Sequence, residues 1–119
     1  MKKILYIEDN KDTADAVRIM LKFAGYDVIT ASSGKEGLKL AEGGSFDLFL
    51  LDIMLPDMSG WDIFETLKKK GSNAKFAFLS AIPVSSERME ELKKSGVSDY
   101  ITKPFAKQDL IARIKIMIG

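Results

Sequence analysis

The stretch that decides the fold is Phe46-Asp-Leu-Phe-Leu-Leu-Asp52, which leads into Ile-Met-Leu-Pro-Asp-Met-Ser-Gly60. Its apolar run is interrupted only by Asp47, and its length and bulk are typical of a strand buried on both faces in the middle of a parallel sheet. The chain then turns through Pro56 to Ser59-Gly60, where we expect a helix to begin. Open α/β sheets bind ligands at the carboxyl ends of their strands, so the pattern predicts Asp52 as the reactive centre.

The remainder of the chain alternates short apolar runs with amphipathic segments, most of which end at a glycine. We predict strands over residues 4–7, 26–30, 46–51, 75–79 and 97–102. We predict helices over residues 11–24, 34–42, 59–70, 85–94 and 107–118. This alternation predicts a flavodoxin-like (βα)5 fold, a doubly wound parallel α/β sheet with strand order 2-1-3-4-5. In that order the first and third strands are neighbours, and both end in carboxylates.

Composition limits the classes of protein to which the chain can belong. Its 119 residues suit one domain over residues 1–119. The net charge of +1 gives no global field that would attract nucleic acid. Cysteine and histidine are both absent, which excludes disulfides, cysteine nucleophiles, Ser-His triads and histidine metal clusters. No apolar run is long enough for a signal peptide or a membrane span, so we expect a cytoplasmic protein with no membrane insertion and no direct contact with nucleic acid.

Acidic residues follow two strands that the predicted sheet places side by side. Glu8 and Asp9 follow the first strand, and Asp52 ends the third. Crowded carboxylates repel one another unless a cation joins them, and a hard divalent ion such as Mg²⁺ or Mn²⁺ suits oxygen ligands. The backbone carbonyl of Met54 is a candidate for a further ligand. Taken alone, Glu8 and Asp9 fit helix capping as well as a site, but an acid on the adjacent strand favours the site.

The same edge of the predicted sheet receives polar groups from the last two strands. Ser80 follows the fourth strand, and Lys103 follows the fifth. Phosphoryl transfer needs an in-line attacking group, cations on the equatorial oxygens and hydrogen-bond donors for the rest. Asp52 could attack and form an aspartyl phosphate. Lys103 could neutralise one phosphoryl oxygen, while the Ser80 hydroxyl and the Ala81 N–H could bond another. A solvated loop lysine is the simpler interpretation of Lys103 alone, but Pro104 restrains its backbone and favours a site role.

Four segments carry a family resemblance that spans the whole chain in order. They are Glu8-Asp9, the stretch from Leu50-Leu-Asp52 through Gly60, Ser80-Ala81, and Tyr100-Ile-Thr-Lys103-Pro104-Phe105. Together they resemble the receiver domain of two-component response regulators, such as the single-domain regulators of chemotaxis and phosphorelays. The sequence departs from the family's pattern at Glu8, where Asp is commoner, at Ser80, where Thr is commoner, and at Pro83.

The resemblance implies a phosphoacceptor site at the carboxyl edge. Asp52 would accept the phosphoryl group from a histidine kinase or a histidine phosphotransfer protein. Glu8, Asp9 and the Met54 carbonyl would hold Mg²⁺ together with Asp52, and Mn²⁺ could replace it. Lys103 would bind the phosphate, next to a cis peptide bond before the following proline. The domain would catalyse its own phosphorylation and dephosphorylation, but it would not be a turnover enzyme.

The resemblance also implies a switch that carries the signal to a downstream protein target. A phosphoryl group adds about two negative charges, so the Ser80 hydroxyl would be drawn toward it. Tyr100 would then turn inward into the vacated space and change the face formed by the fourth helix, the fifth strand and the fifth helix. Taken alone, Tyr100 would be an ordinary packed aromatic residue. Ile19 and Phe23 lie off the core stripe of the first helix and are candidates for docking the phosphodonor.

Three other classes of protein are alternatives. A phosphatase with an aspartyl-phosphate intermediate commonly has a second acid two residues after the nucleophile, where this chain has Met54. A flavodoxin-like cofactor binder needs a glycine-rich phosphate loop after the first strand, and the chain has none there. A receiver-like module that is never phosphorylated has no need for the complete set of acids, hydroxyl and lysine. The phosphoacceptor interpretation is therefore preferred.

Overall fold

The computed structural model describes all residues, 1–119, as a five-stranded parallel sheet with helices on both faces. The strands are β1 (Lys3–Ile7), β2 (Asp27–Ala31), β3 (Leu48–Leu51), β4 (Lys75–Ser80) and β5 (Val97–Thr102). The helices are α1 (Lys11–Phe23), α2 (Gly34–Glu42), α3 (Gly60–Lys69), α4 (Ser86–Ser95) and α5 (Lys107–Ile118). The strand order β2-β1-β3-β4-β5 confirms the predicted flavodoxin-like fold. No helix combines the length and the apolar character that a membrane crossing requires.

Polar side chains explain where four of the helices begin. Asn10, Ser33, Ser59 and Ser85 each accept a hydrogen bond from the backbone N–H group three residues further on. These bonds satisfy N–H groups that the first turn of a helix leaves without a partner. Two helices therefore begin one residue later than predicted, because Ser59 and Ser85 are caps rather than the first helical residues.

The residues of β1 alternate between two hydrophobic cores, one on each face of the sheet. On one face, Ile4 and Tyr6 pack with α1 and α5. On the other face, Leu5 and Ile7 belong to a core that includes residues of α3 and α4, and Ile7 lies against Gly37 of α2. Each core contains 14 buried residues, and all of Leu48–Leu51 is buried between them. The continuous apolar run of β3 is therefore covered on both sides, as the sequence predicts.

β3 begins at Leu48, two residues later than predicted. The Asp47 carboxylate accepts a hydrogen bond of 2.8 Å from the Lys3 N–H. The Asp47 side chain thus satisfies the Lys3 N–H just before the first paired residues of β1 and β3, Ile4 and Leu48. The other strand boundaries agree with the prediction to within one residue.

Gly60 allows α3 to approach the end of β3 closely. A Cβ atom at this position would lie 2.1 Å from the Asp52 carbonyl oxygen, which is too close for any side chain. The Gly60 N–H donates a 2.8 Å hydrogen bond to the Ile53 carbonyl. This contact fixes the turn that follows Asp52 and so fixes the position of the acid.

Candidate functional site

Hydrogen bonds between strand ends bring the predicted site residues to one edge of the sheet. The Asp52 N–H donates to the Ile7 carbonyl at 3.0 Å, which places the end of β3 beside the end of β1. The Lys103 N–H donates to the Ser80 carbonyl at 2.8 Å, which places the residue after β5 beside the end of β4. The peptide bond that follows Lys103 is cis, as the family resemblance implies.

Three carboxylates meet at this edge. One oxygen from each of Glu8, Asp9 and Asp52 lies within 4.8 Å of the others. Glu8 is 2% exposed and Asp52 is 8% exposed, whereas Asp9 faces solvent. Oxygen ligands on one side and water on the other are the surroundings that Mg²⁺ prefers, because it keeps several of its waters in proteins. The residues present therefore fit a hard divalent cation.

Lys103 supplies positive charge to these acids. Its Nζ forms a salt bridge with Glu8 Oε1 and lies 3.3 Å from Asp52 Oδ2. The other oxygen of Asp52, Oδ1, accepts a 2.7 Å hydrogen bond from the Ile53 N–H. The lysine side chain therefore reaches past the end of β4 to acids that follow two other strands. A single ammonium group among three carboxylates leaves the cluster negative.

Burial and charge shift the pKa values of the two buried acids in opposite directions. Burial raises the pKa of Asp52, and the negative charge of Glu8 raises it further, so Lys103 offsets the shift only in part. Burial also acts to raise the pKa of Glu8, but hydrogen bonds from Lys103 and the Asn10 N–H, with the charge of Lys103, lower it overall. A further cation at the cluster would favour the ionised Asp52 that nucleophilic attack requires.

Ser80 and Tyr100 hydrogen-bond to the loop after β4 rather than to the acids. The Ser80 Oγ accepts a 3.2 Å hydrogen bond from the Ile82 N–H, and the Tyr100 hydroxyl donates to the Ile82 carbonyl. Tyr100 is 3% exposed, so its ring already lies inward in this structure. The predicted inward turn of Tyr100 on phosphorylation would therefore begin from a ring that is already buried. Ala81 is exposed between Ser80 and Ile82.

Met54 lies in the loop between β3 and α3, just beyond Asp52. Its side chain is 69% exposed, and its backbone pairs with Ser59 in an isolated antiparallel bridge. The bridge closes the loop into a turn beside the end of β3. The Met54 carbonyl as a metal ligand stays a prediction.

Two contacts beside the site are not among the sequence predictions. The Tyr6 hydroxyl donates a 3.0 Å hydrogen bond to Glu8 Oε1. The Asp57 carboxylate accepts hydrogen bonds of 2.8 Å from the N–H groups of Gly34 and Lys35, at the start of α2. A signal exists for the first contact, because alternate residues of a strand point to the same face. The second contact joins residues 22 and 23 positions apart, and no local pattern marks it.

A cavity of about 640 Å³ lies at the opposite, amino edge of the sheet. Its lining includes Lys2, Asp47, Lys70 and Lys75, and none of the clustered acids. Converging charged groups with shifted pKa values, and not this cavity, therefore mark the candidate site.

The sequence matches the family model of the response regulator receiver domain over residues 4–115. Among curated relatives, the cell cycle transcriptional regulator CtrA of Caulobacter vibrioides is 42% identical over 118 residues, which make up 98% of this chain and 50% of CtrA. The chain spans about half the length of the curated relatives it matches.

Solved structures agree with this match. The receiver domain of the Francisella response regulator 1452 is 34% identical with a TM-score of 0.90, over 99% of this chain and 97% of that one. The response regulator TrrA of Thermotoga maritima, solved in complex with Mg²⁺-BeF, is 31% identical with a TM-score of 0.84, over 98% of this chain and 99% of that one. With the strand order and the family match over residues 4–115, these likenesses confirm the resemblance seen in the sequence. This chain belongs to the response regulator receiver domain family.

Proposed function

We propose that this domain is the phosphoacceptor of a two-component or phosphorelay system, in which Asp52 receives the phosphoryl group of a phosphohistidine. The donor would be a histidine kinase or a histidine phosphotransfer protein. One observation carries the proposal: the buried acid at the end of β3 lies beside two further acids and within reach of a lysine, at one edge of the sheet. Phosphoryl transfer depends on such positioning of an attacking oxygen among cationic groups.

The proposed transfer balances without any further reactant. A carboxylate oxygen of Asp52 attacks the phosphorus, and an O–P bond forms as the N–P bond to the donor imidazole breaks. The electron pair of that bond stays on the imidazole nitrogen. Lys103 Nζ, at 3.3 Å from Asp52 Oδ2, is placed to neutralise a phosphoryl oxygen. The Ser80 hydroxyl and the Ala81 N–H would bond another oxygen.

Mg²⁺ is the proposed cofactor, and Mn²⁺ could replace it. The ligands would be the carboxylates of Glu8, Asp9 and Asp52 and the carbonyl of Met54. When bound, the ion would neutralise negative charge that otherwise repels an incoming phosphoryl group. Support comes from the donor atoms, which are all oxygens within 4.8 Å of one another, and from the neighbour TrrA, which was solved in complex with Mg²⁺-BeF.

We expect phosphorylation of Asp52 to change the rest of the domain through Ile82, because Ser80 and Tyr100 both hydrogen-bond to this residue. A phosphoryl group that attracts the Ser80 hydroxyl would take that hydroxyl away from the Ile82 N–H. The loop before α4 would then rearrange together with the Tyr100 hydroxyl. This change would alter the face formed by α4, β5 and α5, which is the proposed surface for a downstream protein target.

The proposed output is protein binding rather than turnover of a small-molecule substrate. Apart from its own phosphorylation and the hydrolysis of its acyl phosphate, the domain would catalyse no reaction. With a net charge of +1, it is not expected to contact nucleic acid directly. Ile19 and Phe23 of α1 are 48% and 85% exposed, and they are the predicted docking point for the phosphodonor.

Intact mass spectrometry after treatment with acetyl phosphate tests the proposal. We expect a single phosphoryl adduct that requires Mg²⁺ and is lost in Asp52→Asn. Asp12→Asn is the matched control, because Asp12 is an exposed acid of α1 outside the cluster. An adduct that persists in Asp52→Asn, or that forms equally well in EDTA, would overturn the assignment.

A further inference from the structure

Tyr6 is an unexpected residue in β1, whose last four residues are all buried. Its side chain is 0% exposed, and it shares its core with aliphatic residues such as Ile4, Val17 and Leu50. A buried tyrosine hydroxyl loses its hydration and needs a partner in the protein. A phenol hydroxyl is protonated at neutral pH and is therefore available as a donor.

The partner of this hydroxyl is Glu8, whose Oε1 accepts its hydrogen bond at 3.0 Å. Glu8 is itself 2% exposed, and a hydrogen bond to a charged acceptor is strong when water is excluded. A second buried tyrosine, Tyr26, has a hydroxyl with no hydrogen-bond partner. The contact between Tyr6 and Glu8 is therefore not a general consequence of burying a tyrosine in this fold.

Only two other groups donate hydrogen bonds to the Glu8 carboxylate. Its Oε1 also pairs with Lys103 Nζ, and its Oε2 accepts a 3.2 Å hydrogen bond from the Asn10 N–H. A divalent cation at the acid cluster would compete with Lys103, because both are positive charges attracted to the same carboxylates. If the ion displaced Lys103 from Glu8, Tyr6 would be the only side chain left to donate a hydrogen bond to this carboxylate.

We propose that Tyr6 is a positioning residue for the metal site, whose hydroxyl holds the Glu8 carboxylate so that it presents an oxygen to the ion. The inference rests on the proposed Mg²⁺ site and deepens it. Without the hydroxyl, Glu8 would depend on Lys103 as its only side-chain donor, and the ion would have to displace a tighter salt bridge. Hydrogen-bond partners behind a metal ligand commonly tune metal affinity in this way.

Calorimetric titration of the unphosphorylated domain with Mg²⁺ tests the role of Tyr6. Tyr6→Phe keeps the ring and removes only the hydroxyl, and we expect the Kd for Mg²⁺ to rise about tenfold. Glu8→Asp shortens the acid and withdraws it from Tyr6. In that background, Tyr6→Phe is expected to leave the Kd unchanged, because the contact that it removes is already absent. A purely structural role would instead give the same fold-change in both backgrounds, and that result would overturn the inference.

Tyr26→Phe is the matched control, because it removes a buried hydroxyl that has no partner. Its Kd for Mg²⁺ is expected to equal that of the unmodified domain, and thermal unfolding in EDTA checks that each variant is folded. An unmodified domain that binds no Mg²⁺ would overturn the proposed metal site itself. An unmodified domain that binds Mg²⁺, with the same Kd in Tyr6→Phe, would overturn only the role of Tyr6.

Discussion

The proposed reactivity requires an ionised Asp52, whereas the surroundings of Asp52 disfavour its ionised form. Burial and the charge of Glu8 raise its pKa, so its ionised form is the costly one. Lys103 relieves this cost only in part, because it pairs with Glu8 as well. An acid whose pKa is raised by folding contributes stability below its unfolded pKa and loses that contribution as the pH rises through its folded pKa. Above its unfolded pKa, Asp52 therefore opposes folding.

Asp52→Asn is expected to raise the free energy of unfolding by about 1 to 2 kcal/mol at neutral pH in EDTA. Asparagine has nearly the same shape and keeps an acceptor for the Ile53 N–H, but it removes the charge that opposes folding. Urea denaturation measures the effect as a higher midpoint with an unchanged slope. Glu65→Gln removes an exposed acid from the middle of α3, where it forms no salt bridge, and should leave the midpoint unchanged. A lower midpoint for Asp52→Asn would show that the charge stabilises the fold.

Among the elements, α2 and the loop between β3 and α3 are joined by two hydrogen bonds to a single side chain, that of Asp57. Asp57 accepts hydrogen bonds from the N–H groups of Gly34 and Lys35, while Ser33 accepts one from Glu36. The first turn of α2 is therefore capped in part by its own N-terminal serine and in part by a different element. The loop that follows Asp52 in the chain cannot move away from α2 without exposing these N–H groups.

Asp57→Ala is expected to increase the exchange rates of the Gly34 and Lys35 amide hydrogens severalfold, because both lose their acceptor. The N–H groups of Lys35 and Gly34 lower the pKa of Asp57 below its ordinary value of 3.8. The cap is therefore fully present above that pH and is lost as the pH falls through the lowered pKa. Hydrogen exchange followed by NMR should show this acid-dependent loss of protection in the unmodified domain and not in Asp57→Ala.

Ser85→Ala is the control for this experiment, because it removes the cap of α4 and leaves α2 intact. It should speed exchange at the Arg88 amide and leave Gly34 and Lys35 unchanged. If Asp57→Ala left the protection of Gly34 and Lys35 as it was, the side chain would not hold the loop to α2.

At the scale of the whole molecule, the sheet follows from hydrophobic periodicity. The continuous apolar run Leu48–Leu51 needs cover on both faces, and right-handed crossovers leave few topologies that provide it. The order that sets β1 beside β3 is therefore predictable from the sequence. The meeting of Glu8 and Asp9 with Asp52 follows from that order, because all three residues come directly after those strands.

Contacts that depend on side-chain orientation are not predictable in the same way. Strand order brings Lys103 to the edge, but its pairing with both Glu8 and Asp52 depends on its rotamer and on how deeply each acid is buried. The Tyr100 ring packs against Phe78 in the core, but its hydroxyl donates to the Ile82 carbonyl, which lies in a loop whose conformation no periodic pattern encodes. The sequence therefore predicts which groups share the edge, and the structure is needed to show how they pair.

Mg²⁺ is expected to stabilise the whole fold, because the ion would join acids that follow two different strands and otherwise repel each other. A ligand that binds only the folded state raises the free energy of unfolding once its concentration exceeds its Kd. At about 100 times the Kd, the increase is about 2.7 kcal/mol. For a domain of this size, we expect the Tm to rise by roughly 10 °C. Thermal unfolding with increasing MgCl₂, against NaCl at matched ionic strength, measures the effect.

The order of the Tm values of Asp52→Asn and the unmodified domain should reverse as Mg²⁺ is added. In EDTA, the variant is expected to melt at the higher temperature, because it lacks the charge that opposes folding. With Mg²⁺, the unmodified domain gains stability through an acid that the variant no longer has, so the difference in Tm should shrink and then change sign. An equal rise of Tm in both proteins would mean that the ion binds elsewhere. A reversal would show that the Asp52 carboxylate lowers the stability of the domain without the ion and raises it with the ion. The stability of the whole fold would then depend on Mg²⁺ through this one acid.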